Sequence, residues 1–383
     1  MKEFDAVVVG LGGVGSFALR ALARRSGLKI LGIERFYRCH NRGSSHGGSR
    51  VYRTAIFEHP SYVSWAQYSV REFESLGDHC IEKVGCLTME DENGSVIKST
   101  QDVAERNGIE GNKLSNAELR HRYPQFRITS DAMIGFFEKE AGFVRPELVI
   151  EAALAEAEQN GAAIVENTLV EQMKEEEAHV ELTVAQDGKK ETIIAKKLIV
   201  TAGAWASSLI PTWRPLLRVT RQLQIYVEAD SNLYTPSELP TWLMMSPHAS
   251  LPLYGFPVDL KGDHPGWMKL SIHGSNVEIK DPSKAPRTAS KQETEAMEQV
   301  PKLCFNGAFP TASILCCMYT MSPDENFIVG RPAEFRHVVA AAGLSGHGFK
   351  MTPALGAMLA DLALDEDFSQ WNADFVSPTR FGV

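Results

Sequence analysis

Apolar residues dominate positions 4–9 and the run ends at a glycine, the pattern of a strand buried on both faces. Positions 16–25 then carry Ala and Leu along one helical face. Positions 29–33 return to a short apolar strand with Glu34 at its end. Strand, helix and strand in that order predict a βαβ unit. Apolar residues recur at helical spacing over 60–76 and 146–159. Strand patterns occupy 84–89, 132–137, 163–170, 180–184 and 197–200, the last ending at Thr201-Ala202-Gly203. Alternating runs across 217–275 predict an antiparallel sheet. A polar helical pattern follows over 281–302, then a strand at 337–342 and a helix at 353–364. No internal repeat, low-complexity tract or long linker interrupts the series.

Nucleotide-binding patterns at both ends of the chain predict that the domains interleave. The expected fold class is α/β, or α+β overall. A Rossmann-like dinucleotide-binding domain of 1–85, 143–216 and 317–383 alternates with a substrate domain of 86–142 and 217–316, built on an antiparallel or mixed sheet.

The turn Val7-Val8-Val9-Gly10-Leu11-Gly12-Gly13-Val14-Gly15 gives the βαβ unit its chemistry. Gly10 permits the tight turn, Gly12 lets a pyrophosphate approach the backbone, and Gly15 lets the helix lie against the strand. Gly13 and Val14 complete the cradle. Glu34 can accept hydrogen bonds from a ribose diol, with Arg35 beside it. Ala202 and Gly203 permit close packing beside a nucleotide, and Trp205 and Val170 are further candidates there.

At 383 residues the chain has room for two domains or one large one. A net charge of −9 argues against a nucleic-acid partner. Lys29, Glu34 and Arg35 break the best N-terminal apolar stretch, so no run reaches membrane-spanning length, and no secretory signal pattern is present. Cys39, Cys80, Cys86, Cys304, Cys316 and Cys317 show no metal-ligand spacing; no metal is expected, and reduced thiols fit a cytoplasmic setting.

Three more segments follow in order: Gly43-Ser44-Ser45-His46-Gly47-Gly48-Ser49-Arg50-Val51-Tyr52-Arg53, Cys317-Met318-Tyr319-Thr320, and Gly343-Leu344-Ser345-Gly346-His347-Gly348-Phe349-Lys350. With the glycine-rich turn and Thr201–Trp205, they make the chain resemble the monomeric sarcosine oxidase and N-methyltryptophan oxidase family of FAD-dependent amine oxidases. The likeness covers nearly the whole length. It implies a flavin domain of the glutathione-reductase type, covalently bound FAD, and oxidation of secondary amino acids by oxygen.

The resemblance implies a role for each matching residue. Cys317, in a Cys-x-Tyr-Thr segment with Asp324 downstream, is implied to bond through sulfur to the flavin 8α-methyl; the register selects it over Cys316. Arg50 is implied to lie against the ring, with Ser44, His46 and Ser49 nearby. The spacing of Arg50 and Arg53 predicts that both stand on one side of a helical turn. Arg53 and Lys350 are implied to clamp the substrate carboxylate, a group that a guanidinium matches bidentately. Gly346, His347, Gly348 and Phe349 are implied to offer backbone donors at a helix start, where positive potential collects. Strand alternation puts Lys269, Ser271 and His273 on one face. Lys269 is implied to promote oxygen reduction, with His273 tuning the site, while Tyr254, Tyr319 and Met245 match pocket positions. This chain has Ser45-His46-Gly47-Gly48-Ser49-Arg50 where the family has His-His-Gly-Asp-Thr-Arg, and a longer loop over 258–266.

The expected activity is oxidation of an N-methyl or cyclic secondary amino acid by covalently held FAD, with hydrolysis of the imine and reduction of O2 to H2O2. Expected partners are a small secondary amine carboxylate and O2, with no nucleic acid and no membrane, in a monomeric cytoplasmic protein. Two alternatives stay open at this point: an FAD-dependent amino-acid dehydrogenase that passes electrons to another acceptor, and a non-catalytic dinucleotide-binding protein. An NAD-linked enzyme leaves Cys317 and the Gly-His-Gly-Phe-Lys segment without a task.

Overall fold

Small and β-branched side chains let Lys2–Val9 lie at the centre of a sheet covered on both faces. The computed structural model describes residues 2–382 other than 247, 263 and 276. Ile30–Ile33 runs parallel to Lys2–Val9 on one side, and Lys189–Val200 does so on the other, in register from Lys2 with Ile193 to Val9 with Val200. Ala163–Val165 and Val338–Ala342 extend the parallel part, and Leu169–Glu175 and Val180–Gln186 add an antiparallel flank. This is the expected α/β class.

The first helix is Gly13–Ala23, starting earlier than its apolar pattern because the turn glycines themselves enter it. It packs against Thr352–Ala363 in a shared core. A Cβ on Gly356 would stand 2.6 Å from the backbone of Phe17 and Ala18, so only glycine allows this crossing. A Cβ on Gly13 would stand 2.9 Å from Thr352 Cγ2. The first and last parts of the chain therefore meet at the glycine-rich turn.

The second sheet runs Thr311–Met321, Arg218–Glu228, Trp267–Ile272, Leu253–Gly255, Thr241–Met244, Cys86–Asp91, Met133–Glu138 and Gly111–Leu114. Thr241–Met244 is parallel to Cys86–Asp91 and the other pairs are antiparallel, so the sheet is mixed. Thr311–Met321 crosses the expected boundary at 317 without a break. The 281–302 pattern resolves into a short turn at Pro282–Lys284 and helices Lys291–Met297 and Val300–Cys304, the first started by a capping box between Ser290 and Glu293. Val96–Arg106, Gly111–Leu114 and Asn116–Arg122 were not legible in the apolar pattern, because few of their residues are buried. No helix among the described residues is long and apolar enough to cross a membrane.

Arg50 and Arg53 do not share a helical turn. Arg50–Tyr52 is a strand paired with Gly142–Val144 in a small sheet that Ile81–Glu82 completes. Val51 and Tyr52 follow a glycine-rich run that cannot nucleate a helix, and pairing captures them instead. Residues three apart along a strand alternate in direction. The two arginines have different hydrogen-bond partners, although both reach one cavity.

Candidate active site

The glycine-rich turn is built for close approach. Gly10 has a φ of +89°, and a Cβ on Gly15 would stand 1.8 Å from Gly10 O. Gly13 N donates to Ser45 Oγ at 3.1 Å, so the serine at 45 braces the turn. Glu34 accepts from Leu11 N at 2.8 Å and from Phe36 N at 2.9 Å, and its carboxylate lies 3.2 Å from His40 Nε2. Burial acts to raise the Glu34 carboxyl, but His40 and the backbone donors bring it below its ordinary value. Gly10, Gly12, Gly13 and Val14 line an elongated cavity of about 260 Å³. Glu34, Arg35 and Val170 also line it, as do Ala202, Gly203 and Trp205. Ser44 and Gly348 complete the set, while Gly15 stands behind, packed on Gly10.

A second cavity of about 670 Å³ meets the first at Arg50, Tyr319, Gly346 and Phe349, which line both. Its walls include Arg53, Lys350, His347, Met245, Tyr254 and His273. Arg50 donates to Ser49 O and Ser44 O, each at 2.8 Å, and its Nη2 lies 3.8 Å from Cys317 Sγ. Tyr319 Oη is 3.4 Å from His273 Nδ1. Burial lowers His273 to about 4 and His46 to about 3, with the charges of Arg50 and Lys269 also acting on His46, so both imidazoles are neutral at ordinary pH.

Arg53 and Lys350 are both buried on the wall of this cavity, with the Glu58 carboxylate against Arg53. Arg53 donates to Ala55 O at 2.6 Å and to Glu58 Oε1 at 2.9 Å. Burial acts to raise Glu58, but Arg53 and then Lys350 bring its carboxyl down to about 2. Lys350 donates to His347 O at 2.7 Å, and burial lowers its ammonium to about 8 despite Glu58. Glu58 was missed in the sequence, where the only signal was an acid five positions after Arg53.

Lys269, His46, Ser49 and Cys317 line neither cavity and lie one layer behind the walls. The 46–49 loop folds over Lys269, whose Nζ donates to Gly47 O at 2.8 Å and Ser49 O at 2.6 Å. Tyr226 also donates to Gly47 O, at 2.7 Å. Gly48 stands where the resemblance expects an acid, and the carboxylate comes from elsewhere: Glu147 accepts from Gly47 N at 2.6 Å and Gly48 N at 3.3 Å. Cys317 is 1% exposed beneath the carbonyls of Gly43 and Ser44, while Met318, Tyr319 and Thr320 line the cradle.

Residues 5–362 match the family model described as FAD dependent oxidoreductase. Monomeric sarcosine oxidase of Streptomyces avermitilis is 31% identical over 371 residues, 94% of each chain. N-methyl-L-tryptophan oxidase of Yersinia pestis is 30% identical over 377 residues, covering 95% of this chain and 96% of the relative. L-proline dehydrogenase from P. horikoshii has a similar structure, with a TM-score of 0.82 at 19% identity over 100% of this chain and 98% of that one. The residues present fit FAD. The glycine turn has room for a pyrophosphate, Glu34 lines the same cavity, and Thr320, which also lines it, has its Oγ1 buried without a partner among the described residues.

Proposed function

This chain belongs to the FAD dependent oxidoreductase family, and on that premise we propose that it oxidises N-methyl or cyclic secondary amino acids with oxygen as acceptor. It is an FAD-dependent oxidoreductase. The observation that carries the substrate reading is the pair Arg53 and Lys350, two buried cations lining one cavity beside the flavin cradle. FAD supplies the redox chemistry when bound, taking a hydride from the amine C–H and passing electrons to oxygen as hydrogen peroxide.

The protein's own residues bind and orient. Arg53 and Lys350 hold the substrate carboxylate, Glu58 giving way in the Arg53 fork. Tyr254 and Tyr319 wall the amine end, and Met245 lines the same cavity farther out. Around the clamp Arg50, Arg53 and Lys350 outnumber the Glu58 carboxylate, which disfavours a substrate ammonium there and favours the neutral amine that reacts. Neutral His273 beside Tyr319 adds a hydrogen-bonding wall without further charge. The imine product hydrolyses in water. All six cysteines are free, which supports a cytoplasmic setting, and the protein is proposed to act as a monomer. Measured peroxide yield per imine formed tests oxygen as the acceptor; a yield near zero with an artificial dye reduced instead would point to a dehydrogenase.

Cys317 is the proposed attachment point for FAD. Acid-precipitated wild-type protein is then expected to be yellow. Cys317→Ser protein is expected to be yellow when native and white after precipitation, with its FAD in the supernatant. A white wild-type precipitate would remove the tether and leave the family membership untouched.

The clamp also predicts a pH dependence. Lys350 binds a carboxylate as a cation and loses its proton as pH rises through about 8. Competitive inhibition by a carboxylate that lacks an amine is therefore expected to be strongest below that value and to weaken above it. An inhibition constant that stays flat up to pH 10 would take Lys350 out of the clamp.

A further inference from the structure

We propose that the physiological substrate carries an extended tail ending in a cation, and that Glu90 receives that cation at the outer end of the cavity. The inference rests on the carboxylate clamp proposed above and names what lies beyond it.

The cavity is much larger than a methylated glycine requires. Its roughly 670 Å³ corresponds to about 20 waters at liquid density. One strand measures its length. Cys86 and Glu90 both line it, at the two ends of Cys86–Asp91. Cys86 marks the inner end, since the charges of Arg53 and Lys350 both act on its thiol. Four residues of extended strand put Glu90 about 13 Å farther out, on the same face because side chains alternate with a period of two.

The outer end differs chemically from the inner one. Sheet pairing brings Met133 opposite Asp91 and Met244 opposite Met89, and Met245 N donates to Met89 O, so Met133, Met245 and Ser246 reach the Glu90–Asp91 end of the strand and line the cavity there. The arginines and lysine that line the cavity are Arg50, Arg53 and Lys350, all at the inner end. Glu90 is 8% exposed. Its Oε2 accepts from Ile97 N at 3.0 Å, at the start of Val96–Arg106, and among the described residues no donor reaches Oε1. Asp91 is exposed at the rim, one of its oxygens already bonded to Asn93. A cationic clamp, an apolar passage and a buried carboxylate with a free oxygen together match a molecule with a carboxylate at one end and an ammonium or guanidinium at the other.

The probes are ω-amino carboxylates of increasing chain length, which have no amine next to the carboxylate and are not turned over at that carbon. They are titrated calorimetrically into the holoenzyme against ω-hydroxy carboxylates of equal length. Affinity is expected to rise with length to the octanoate, where the amine binds about tenfold tighter than the hydroxyl. Glu90→Gln keeps an oxygen for Ile97 N, so the adjoining helix start is preserved. It is expected to erase the preference for the amine and leave short carboxylates bound as before. Equal affinity for amine and hydroxyl, or a preference that survives Glu90→Gln, overturns the inference and leaves the clamp standing. Failure of every carboxylate to bind overturns both.

Discussion

Lys269→Met is expected to slow reoxidation by oxygen about a hundredfold or more, while anaerobic reduction by substrate stays within a few-fold of wild type. Lys269 is 3% exposed, and its Nζ lies 4.8 Å over the ring of Phe256. Burial pushes its ammonium well below the ordinary lysine range, and Arg50 adds to the effect, while Glu147 and Cys317 oppose it. Glu147 itself bonds to the amides of Gly47 and Gly48 rather than to Lys269. The lysine is thus held by two carbonyls, Gly47 O and Ser49 O, and its protonated form keeps a third N–H to donate. A fixed donor of this kind stabilises negative charge as oxygen takes up electrons. Methionine keeps an unbranched stem and removes the donor. Stopped-flow measurement of the two half-reactions separates this role from simple support of the 46–49 loop. Loss of support would slow both half-reactions alike, and unchanged reoxidation would end the role in oxygen reduction.

Arg53→Ala is expected to raise the apparent binding constant for carboxylated amines about 10- to 100-fold, since a charge-assisted hydrogen bond contributes roughly 1.5–3 kcal/mol. The variant also releases Glu58, whose carboxyl Arg53 does most to hold down. Glu58 then competes for Lys350, which adds to the loss. The control is a secondary amine without a carboxylate. Its binding should change little, and an equal loss for both would mean that Arg53 shapes the pocket without gripping the substrate.

Local features of the sequence foretold much of this geometry. Gly10, Gly15 and Glu34 act within one βαβ unit, so a short window contained what they do. The helical spacing over 146–159 matched Pro146–Gln159 because its buried residues sit on one face. Contacts between distant segments were not readable. Glu147 reaches Gly47 across 100 positions, and Tyr226 reaches it across 179, with no pattern in either stretch to connect them. Arg50 and Arg53 show the converse error. Their spacing is compatible with a helix, but pairing with Gly142–Val144 decided the local structure. Glu58 became visible only when the fold set its carboxylate against Arg53.

The crossing at Gly356 has a bearing on biogenesis. The cradle's first wall emerges from the ribosome early, but its opposite side arrives with Gly346–Phe349 and is pressed into place by the helix that crosses Phe17 and Ala18. Contacts between such distant parts form late in folding. Capture of the dinucleotide therefore waits for Thr352–Ala363, and a nascent chain halted before that helix holds only half a grip on it.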